Sequence, residues 1–224
     1  MANGLQSDMK PARFFGSLQG GTLLCLGAHS DDLEIGCGGT VRKLVHANPG
    51  LGVHWIIFSA SGVREEEARA SAGEILAEAR GTVVIKNFRN GFFPSVVAEL
   101  KEFFETLKRL PPPDLILTHC RHDLHQDHRT IAEHTWNTFR DHAVLEYEIP
   151  KFDGDLGAPN VFMTLSAEEL DAKVKLLHAH FKSQHNKQWF TRSTFEGLCR
   201  IRGIECNSPS GFAEAFYGRK LVIG

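Results

Sequence analysis

Short apolar runs alternate with helix-patterned stretches along most of this 224-residue chain, and few architectures satisfy that order. Thr22 to Leu26 is an apolar run ending at Gly27 and Ala28, the pattern of a buried strand that opens into a loop. Gly36 to Val45 reads as a helix with glycines crowding its start, and Val53 to Phe58 as a second strand closed by the polar turn Ser59 to Gly62. Arg64 to Ala79 is rich in Ala and Glu at helical spacing, Thr82 to Ile85 is β-branched, and Val96 to Leu110 is amphipathic again. Pro111, Pro112 and Pro113 stop that helix, and Leu115 to Leu117 then forms a buried strand leading to His119 and a polar, histidine-rich loop. A helix over Arg129 to Phe139 follows. After it come a strand (Val144 to Ile149), a Gly/Pro/Asp-rich loop (Pro150 to Asn160), another strand, a helix (Ala167 to His180) and a final strand near Leu221. This order predicts an α/β fold with a mostly parallel sheet, helices on both of its faces, and sites at the carboxyl ends of strands. No linker or repeat interrupts it, so one domain over residues 1–224 is expected, with residues 1–20 a flexible or capping segment.

Charge and cysteine usage narrow the partners. With 25 basic and 27 acidic residues the formal charge is −2, so no overall field gathers nucleic acid or anionic membrane. No apolar run approaches the roughly 18 to 20 residues that span a bilayer, and the first twenty residues are mixed in character. The five cysteines (Cys25, Cys37, Cys120, Cys199, Cys206) are odd in number and form no C-x-x-C pair, which argues against disulfides and thiolate zinc fingers and suits a reducing cytoplasm. The expected partner is a small, roughly neutral molecule, with no nucleic acid and no stable membrane insertion; a homo-oligomer is left open.

Two constellations carry chemistry. In Gly27-Ala28-His29-Ser30-Asp31-Asp32 an imidazole and two carboxylates meet in one strand-to-helix loop. Adjacent carboxylates raise each other's pKa unless a cation sits with them, and a bound divalent metal supplies that charge directly. The plainer account is that Asp31 or Asp32 caps the following helix. The second constellation runs from His119 to Arg129 and holds His122, Asp123, His125, Asp127 and His128 within seven positions. That density suits a site of nitrogen and oxygen ligands with an open position for water, and one ligand set can span both loops. A solvated charged loop is its bland alternative.

These motifs resemble the PIG-L/LmbE family of metal-dependent N-deacetylases, whose first motif is Ala-His-Pro-Asp-Asp and whose second is His-x-Asp-His. Here they read Ala28-His29-Ser30-Asp31-Asp32, continued by Glu34 and Gly36-Cys37-Gly38-Gly39-Thr40, and His125-Gln126-Asp127-His128-Arg129. The resemblance extends through Arg64-Glu65-Glu66-Glu67-Ala68 and, more loosely, the Lys175 to Gln184 segment with His180 and Ser183-Gln184. It implies a Rossmann-like, LmbE-like fold and zinc as cofactor, with iron(II) or another divalent metal as substitutes. It implies His29, Asp32 and His128 as metal ligands, Asp31 as general base, and His125 facing the reacting carbonyl with Asp127 beside it to hold and charge the ring. A metal lowers the pKa of water towards about 7, and a carboxylate then takes the remaining proton as the water attacks an amide. The activity implied is release of acetate and a free amine from an N-acetylated sugar, of the N-acetylglucosamine, nucleotide-sugar or antibiotic-pathway kind.

Departures from the family pattern bear on the loops. Ser30 and Gln126 stand where the family has Pro, which predicts somewhat looser loops with activity retained. Asn90-Gly91 stands where the family has Asp-Gly; Asn90 is a candidate for substrate contact, and Asn-Gly is also a common turn pair. The resemblance assigns an arginine at Arg64 to substrate contact, and a cation at a helix start is otherwise disfavoured by the helix dipole. Gly36, Gly38 and Gly39 lack the G-x-G-x-x-G order of a dinucleotide site. Phe92, Phe93, Trp189 and Phe190 are more often core or sheet-covering aromatics than sugar platforms, and are left unassigned. Two rival classes remain: a non-haem iron oxygenase using His29-Ser30-Asp31 and a later His, disfavoured because such sites commonly sit on all-strand barrels, and a non-catalytic metal- or nucleotide-holding module.

Overall fold

The computed structural model describes residue 18 and residues 20–220; the residues before Leu18, Gln19 and the final four, Leu221 included, lie outside the described residues. Among the described residues seven strands form one sheet: β1 (Thr22–His29), β2 (Gly52–Ser59), β3 (Arg80–Ile85), β4 (Leu115–His119), β5 (Val144–Tyr147), β6 (Val161–Leu165) and β7 (Phe212–Gly218). Their order is β3-β2-β1-β4-β5-β7-β6. The first five run parallel, and β7 is antiparallel to both of its neighbours. Among the described residues the last strand is Phe212–Gly218, and the strand expected near Leu221 lies outside them.

Strands buried on both faces explain the near-continuous apolar runs. Leu23 and Cys25 of β1 and Val53, Trp55 and Ile57 of β2 join the core on one face, while Leu24, Leu26, Ile56 and Phe58 join the core on the other. Helices α1 (Asp32–Ala47), α2 (Val63–Ile75), α5 (Ala167–His180) and α6 (Arg192–Glu205) cover the first face. Helices α3 (Val97–Leu107) and α4 (Gln126–Thr138) cover the second. Among the described residues no helix is long and apolar enough to cross a membrane.

Several boundaries differ from the sequence reading, the strand expected over Val144 to Ile149 ending at Tyr147 among them. α1 begins at Asp32, four residues before Gly36, and α4 begins at Gln126, so Asp127 and His128 stand on a helical first turn rather than in a loop. α2 ends at Ile75, short of Ala79. The glycines of α1 are room for other elements. A Cβ on Gly36 would lie 2.2 Å from the ring of Tyr147, and one on Gly39 would meet Leu165 at 2.9 Å and Glu214 at 3.0 Å. Glu214 of β7 reaches into α1, accepting the amides of Gly39 (2.9 Å) and Thr40 (2.7 Å). Lys173 of α5 pairs with Glu214 at 2.5 Å and donates to the Ile35 carbonyl at 2.7 Å. Donor and acceptor of one helical step, Gly39 N–H and Ile35 C=O, are thus both engaged by a buried ion pair from the far end of the chain.

Alanine at Gly36 tests this packing. Helix propensity alone favours the change by about 1 kcal/mol, but the fully buried Tyr147 ring, whose hydroxyl donates to Leu26 O at 2.7 Å, has nowhere to go. Overpacking wins, and Gly36→Ala should destabilise by about 1–3 kcal/mol in denaturant unfolding. Gly38→Ala, whose new carbon meets nothing closer than 3.7 Å, should not destabilise. Equal stability of the two variants would refute the steric account.

Candidate active site

β1 and β4 are neighbours at which the connections diverge to opposite sides of the sheet, and such a switch point opens a crevice at the strands' carboxyl ends. His29 ends β1 and His119 ends β4. The first turns of α1 and α4 bring Asp32 and His128 to the same place. Nδ1 of His29, Oδ2 of Asp32 and Nε2 of His128 form a triangle with edges of 3.1, 3.3 and 3.5 Å. All three side chains are buried. Ligands of a four-coordinate ion with bonds of about 2.0–2.1 Å stand about 3.3–3.4 Å apart, so this donor set has the spacing of a metal site.

Electrostatics agree with the geometry. Burial alone would push His29 down, but the Asp32 and Asp127 carboxylates outweigh it and raise the imidazole to about 9. His128 is pushed down to about 3, chiefly by burial and then by His119. The buried carboxylates thus favour positive charge at this place, which a divalent cation held by neutral imidazoles would supply.

The outer groups hold the triangle in place. Asp127 Oδ2 lies 3.2 Å from His29 Nε2 and accepts the Gly91 amide at 2.6 Å, while Oδ1 accepts the Phe93 amide at 3.0 Å. Asp123 Oδ2 lies 2.9 Å from His128 Nδ1. Each imidazole of the triangle therefore has a carboxylate on its other nitrogen, an arrangement that fixes the tautomer and the ring plane. His119 Nε2 is reached by the Ala28 amide at 2.9 Å and by Asp32 Oδ2 at 3.2 Å. The Ala28 amide engages that nitrogen, and ligand atoms of Asp32, His119 and His128 also lie within 4.8 Å of one another.

The expectation that Asp127 holds and charges His125 needs correction. The Asp127 carboxylate is committed to His29 and the two amides, and only its backbone N–H reaches His125, donating to Nδ1 at 3.2 Å. His125 caps α4 through that bond. Burial, and then the charge on His29, hold it below its ordinary pKa. With Nδ1 accepting, His125 is a neutral ring whose Nε2 carries the hydrogen, a donor rather than a cation. A ring nitrogen of His125 lies within 4.8 Å of nitrogens of His29 and His128.

Asp31 stands at the N-cap position of α1, yet its side chain makes no capping hydrogen bond, which removes the plainer account of this residue. Asp32 likewise lies inside the helix, its Oδ2 accepting the His29 amide at 2.7 Å. Burial, and then the neighbouring Asp32 charge, push Asp31 above the usual carboxylate range, and Arg64 pulls the other way. Arg64 Nη2 lies 3.4 Å from Asp31 Oδ1 and Nε donates to Ser30 Oγ at 3.1 Å. Ser30 is fully buried. Gln126 Nε2 donates to the Gly91 carbonyl. Ser30 and Gln126, expected to loosen their loops, each take part in a side-chain hydrogen bond, so both loops are pinned. Gly91, with φ +79°, turns the chain beside exposed Asn90 at the rim, as the turn reading of that pair requires. Asp123 and His119 received no role from sequence; their signal was position, the one inside the dense histidine run and the other at the end of a central strand.

The PIG-L: GlcNAc-PI de-N-acetylase family model matches residues 24–139. No curated protein sequence matches the chain. Among solved structures it is similar to the conserved protein TT1542 from Thermus thermophilus, at 20% identity and a TM-score of 0.71 over 90% of this chain and 96% of that one. It is similar also to the N,N'-diacetylchitobiose deacetylase from Pyrococcus horikoshii, at 16% identity and a TM-score of 0.64 over 87% and 82%. A third similar structure is the 4-carboxy-2-hydroxymuconate hydratase GalB from Pseudomonas putida, at 15% identity and a TM-score of 0.69 over 91% and 98%. At such identities the structures establish the fold, and the family model carries the chemistry.

Proposed function

The chain belongs to the PIG-L family of GlcNAc-PI de-N-acetylases, and from that membership we propose that it is a zinc-dependent hydrolase that removes the acetyl group from an N-acetylated amino sugar. The observation that carries the reading is the buried triangle of His29, Asp32 and His128 with the uncapped carboxylate of Asp31 beside it. Two imidazoles and one carboxylate suit zinc, with iron(II) or cobalt as substitutes. A divalent ion there would acidify water and polarise the acyl carbonyl.

The protein's own groups divide the remaining work. Asp31 takes the proton of the attacking water and passes it to the amine nitrogen. His125 offers Nε2–H to the oxygen that gains negative charge as the carbonyl carbon becomes tetrahedral. Arg64 steadies Asp31 and reaches outward, with 29% of its side chain exposed, to where a sugar hydroxyl would lie. Asn90 is a second rim contact, and exposed Phe92 and Leu124 offer apolar faces on the same rim. The products are acetate and a free amine, and water supplies both the hydroxyl and the proton. The setting we propose is the cytoplasm, supported by five free thiols.

A screen of N-acetylhexosamine conjugates, read by acetate release together with primary-amine detection, tests the function. Stoichiometric acetate and amine are expected from at least one conjugate. Turnover of an unsaturated acid by water addition, with no amine released from any conjugate, would transfer the assignment to the chemistry named for GalB. Oxygen consumption would point to the oxygenase class instead.

A further inference from the structure

After Tyr147 the chain runs through an irregular segment before β6 begins at Val161, and Lys151 lies within it. Its side chain is only 8% exposed. A buried ammonium has three protons to place. Asp155 takes it at 2.5 and 2.7 Å through its two oxygens, and Asp123 Oδ1 lies 3.0 Å away. The line continues in both directions. Asp123 passes it through Oδ2 to His128 Nδ1 at 2.9 Å, and the other nitrogen of that ring belongs to the triangle. Asp155 Oδ2 accepts the Leu124 amide at 2.7 Å, and Asp123 Oδ1 accepts the His125 amide at 2.8 Å. Farther along, the Gly157 carbonyl accepts from Arg202 Nη2 at 3.0 Å, and Arg202 is itself held by Glu148 at 2.8 and 2.9 Å.

We propose that Lys151 is a positioning residue for the metal centre, binding the 150–158 segment to ligand His128 through Asp123. The inference rests on the reading of His128 as a metal ligand. Without the ammonium, Asp123 and Asp155 would face one another as buried carboxylates, and the group that orients His128 would lose its fixed partner. The tie works both ways, because coupling between two sites is reciprocal: an ion that fixes His128 also steadies the segment.

Hydrogen exchange at the amides of 151–158, measured with and without zinc and referred to α5 amides in the same sample, tests the tie. In the unmodified protein zinc should slow exchange in this segment by about 5-fold to 150-fold, the usual range of coupling between sites. Lys151→Met should abolish the zinc-dependent slowing, and Lys151→Arg should restore it. A merely structural lysine would loosen the segment equally with and without zinc, leaving the ratio unchanged. Should the methionine variant not fold, Lys151→Gln keeps a hydrogen-bond donor between the carboxylates and should still cut the ratio severalfold. Undiminished slowing in the folded variant, or no slowing in zinc-loaded unmodified protein, overturns this inference alone. Unmodified protein that takes up no zinc overturns the metal reading and this inference with it.

Discussion

Asp31→Asn is expected to keep its fold and its metal and to lose about 100-fold to 10,000-fold in turnover, the usual cost of removing a general base. The argument begins with what Asp31 does not do. It holds the N-cap position without a capping bond from its side chain, so asparagine there forfeits no helix stabilisation. Its carboxylate is not an edge of the ligand triangle, so occupancy should hold. What the amide cannot do is accept a proton from water. Metal content by atomic emission and turnover by acetate release, on the same preparation, check the two halves together. Near-normal turnover with metal bound, or an occupancy as low as that of Asp32→Asn, would show that base and ligand have been confused within one loop.

The neighbouring residue should behave in the opposite manner. Three protein ligands leave no redundancy, so Asp32→Asn and His128→Ala should each lose metal first and activity with it. Unmodified protein should carry about one divalent ion per chain, fall to assay background after chelation, and recover with zinc, iron(II) or cobalt. Asp32→Asn has a further cost, because Oδ2 also accepts the His29 amide and stands 3.2 Å from His119. Full activity in metal-free protein would sink the reading, and unchanged occupancy in both variants would move the site elsewhere.

The residues nearest in sequence were the most legible. β1, β2 and β4 read as strands because both of their faces are apolar, and α5 reads at its observed limits because Ser166 and Glu169 form a capping box around its start. The beginnings of α1 and α4 were not legible. Glycines at 36, 38 and 39 have poor helix propensity, and two of them are there because Tyr147 at Gly36, and Leu165 and Glu214 at Gly39, occupy the space that side chains would need. The polar run before Arg129 looks like loop because its first turn packs on the site, not on the core. α6 was missed altogether: it buries Phe195, Cys199 and Gly203 alongside Arg202, a pattern that apolar spacing does not reveal. The proposed ligands are spelled out in two short motifs. Their supports are not: Asp127 meets His29 across 98 positions, and Lys151 lies in a stretch without periodicity.

The clamp of Glu214 and Lys173 on α1 means that chemistry and architecture have different addresses in this chain. Residues 24–139 contain every proposed ligand and the proposed base, yet the amides of Gly39 and Thr40, the Ile35 carbonyl and the hollow at Gly36 are all completed by residues beyond that span. A gene fragment cut at the edge of the family match would encode the reagents without the frame that sets their angles. Transplanting this site into another protein would therefore require the closing strands and α5 as well as the motifs.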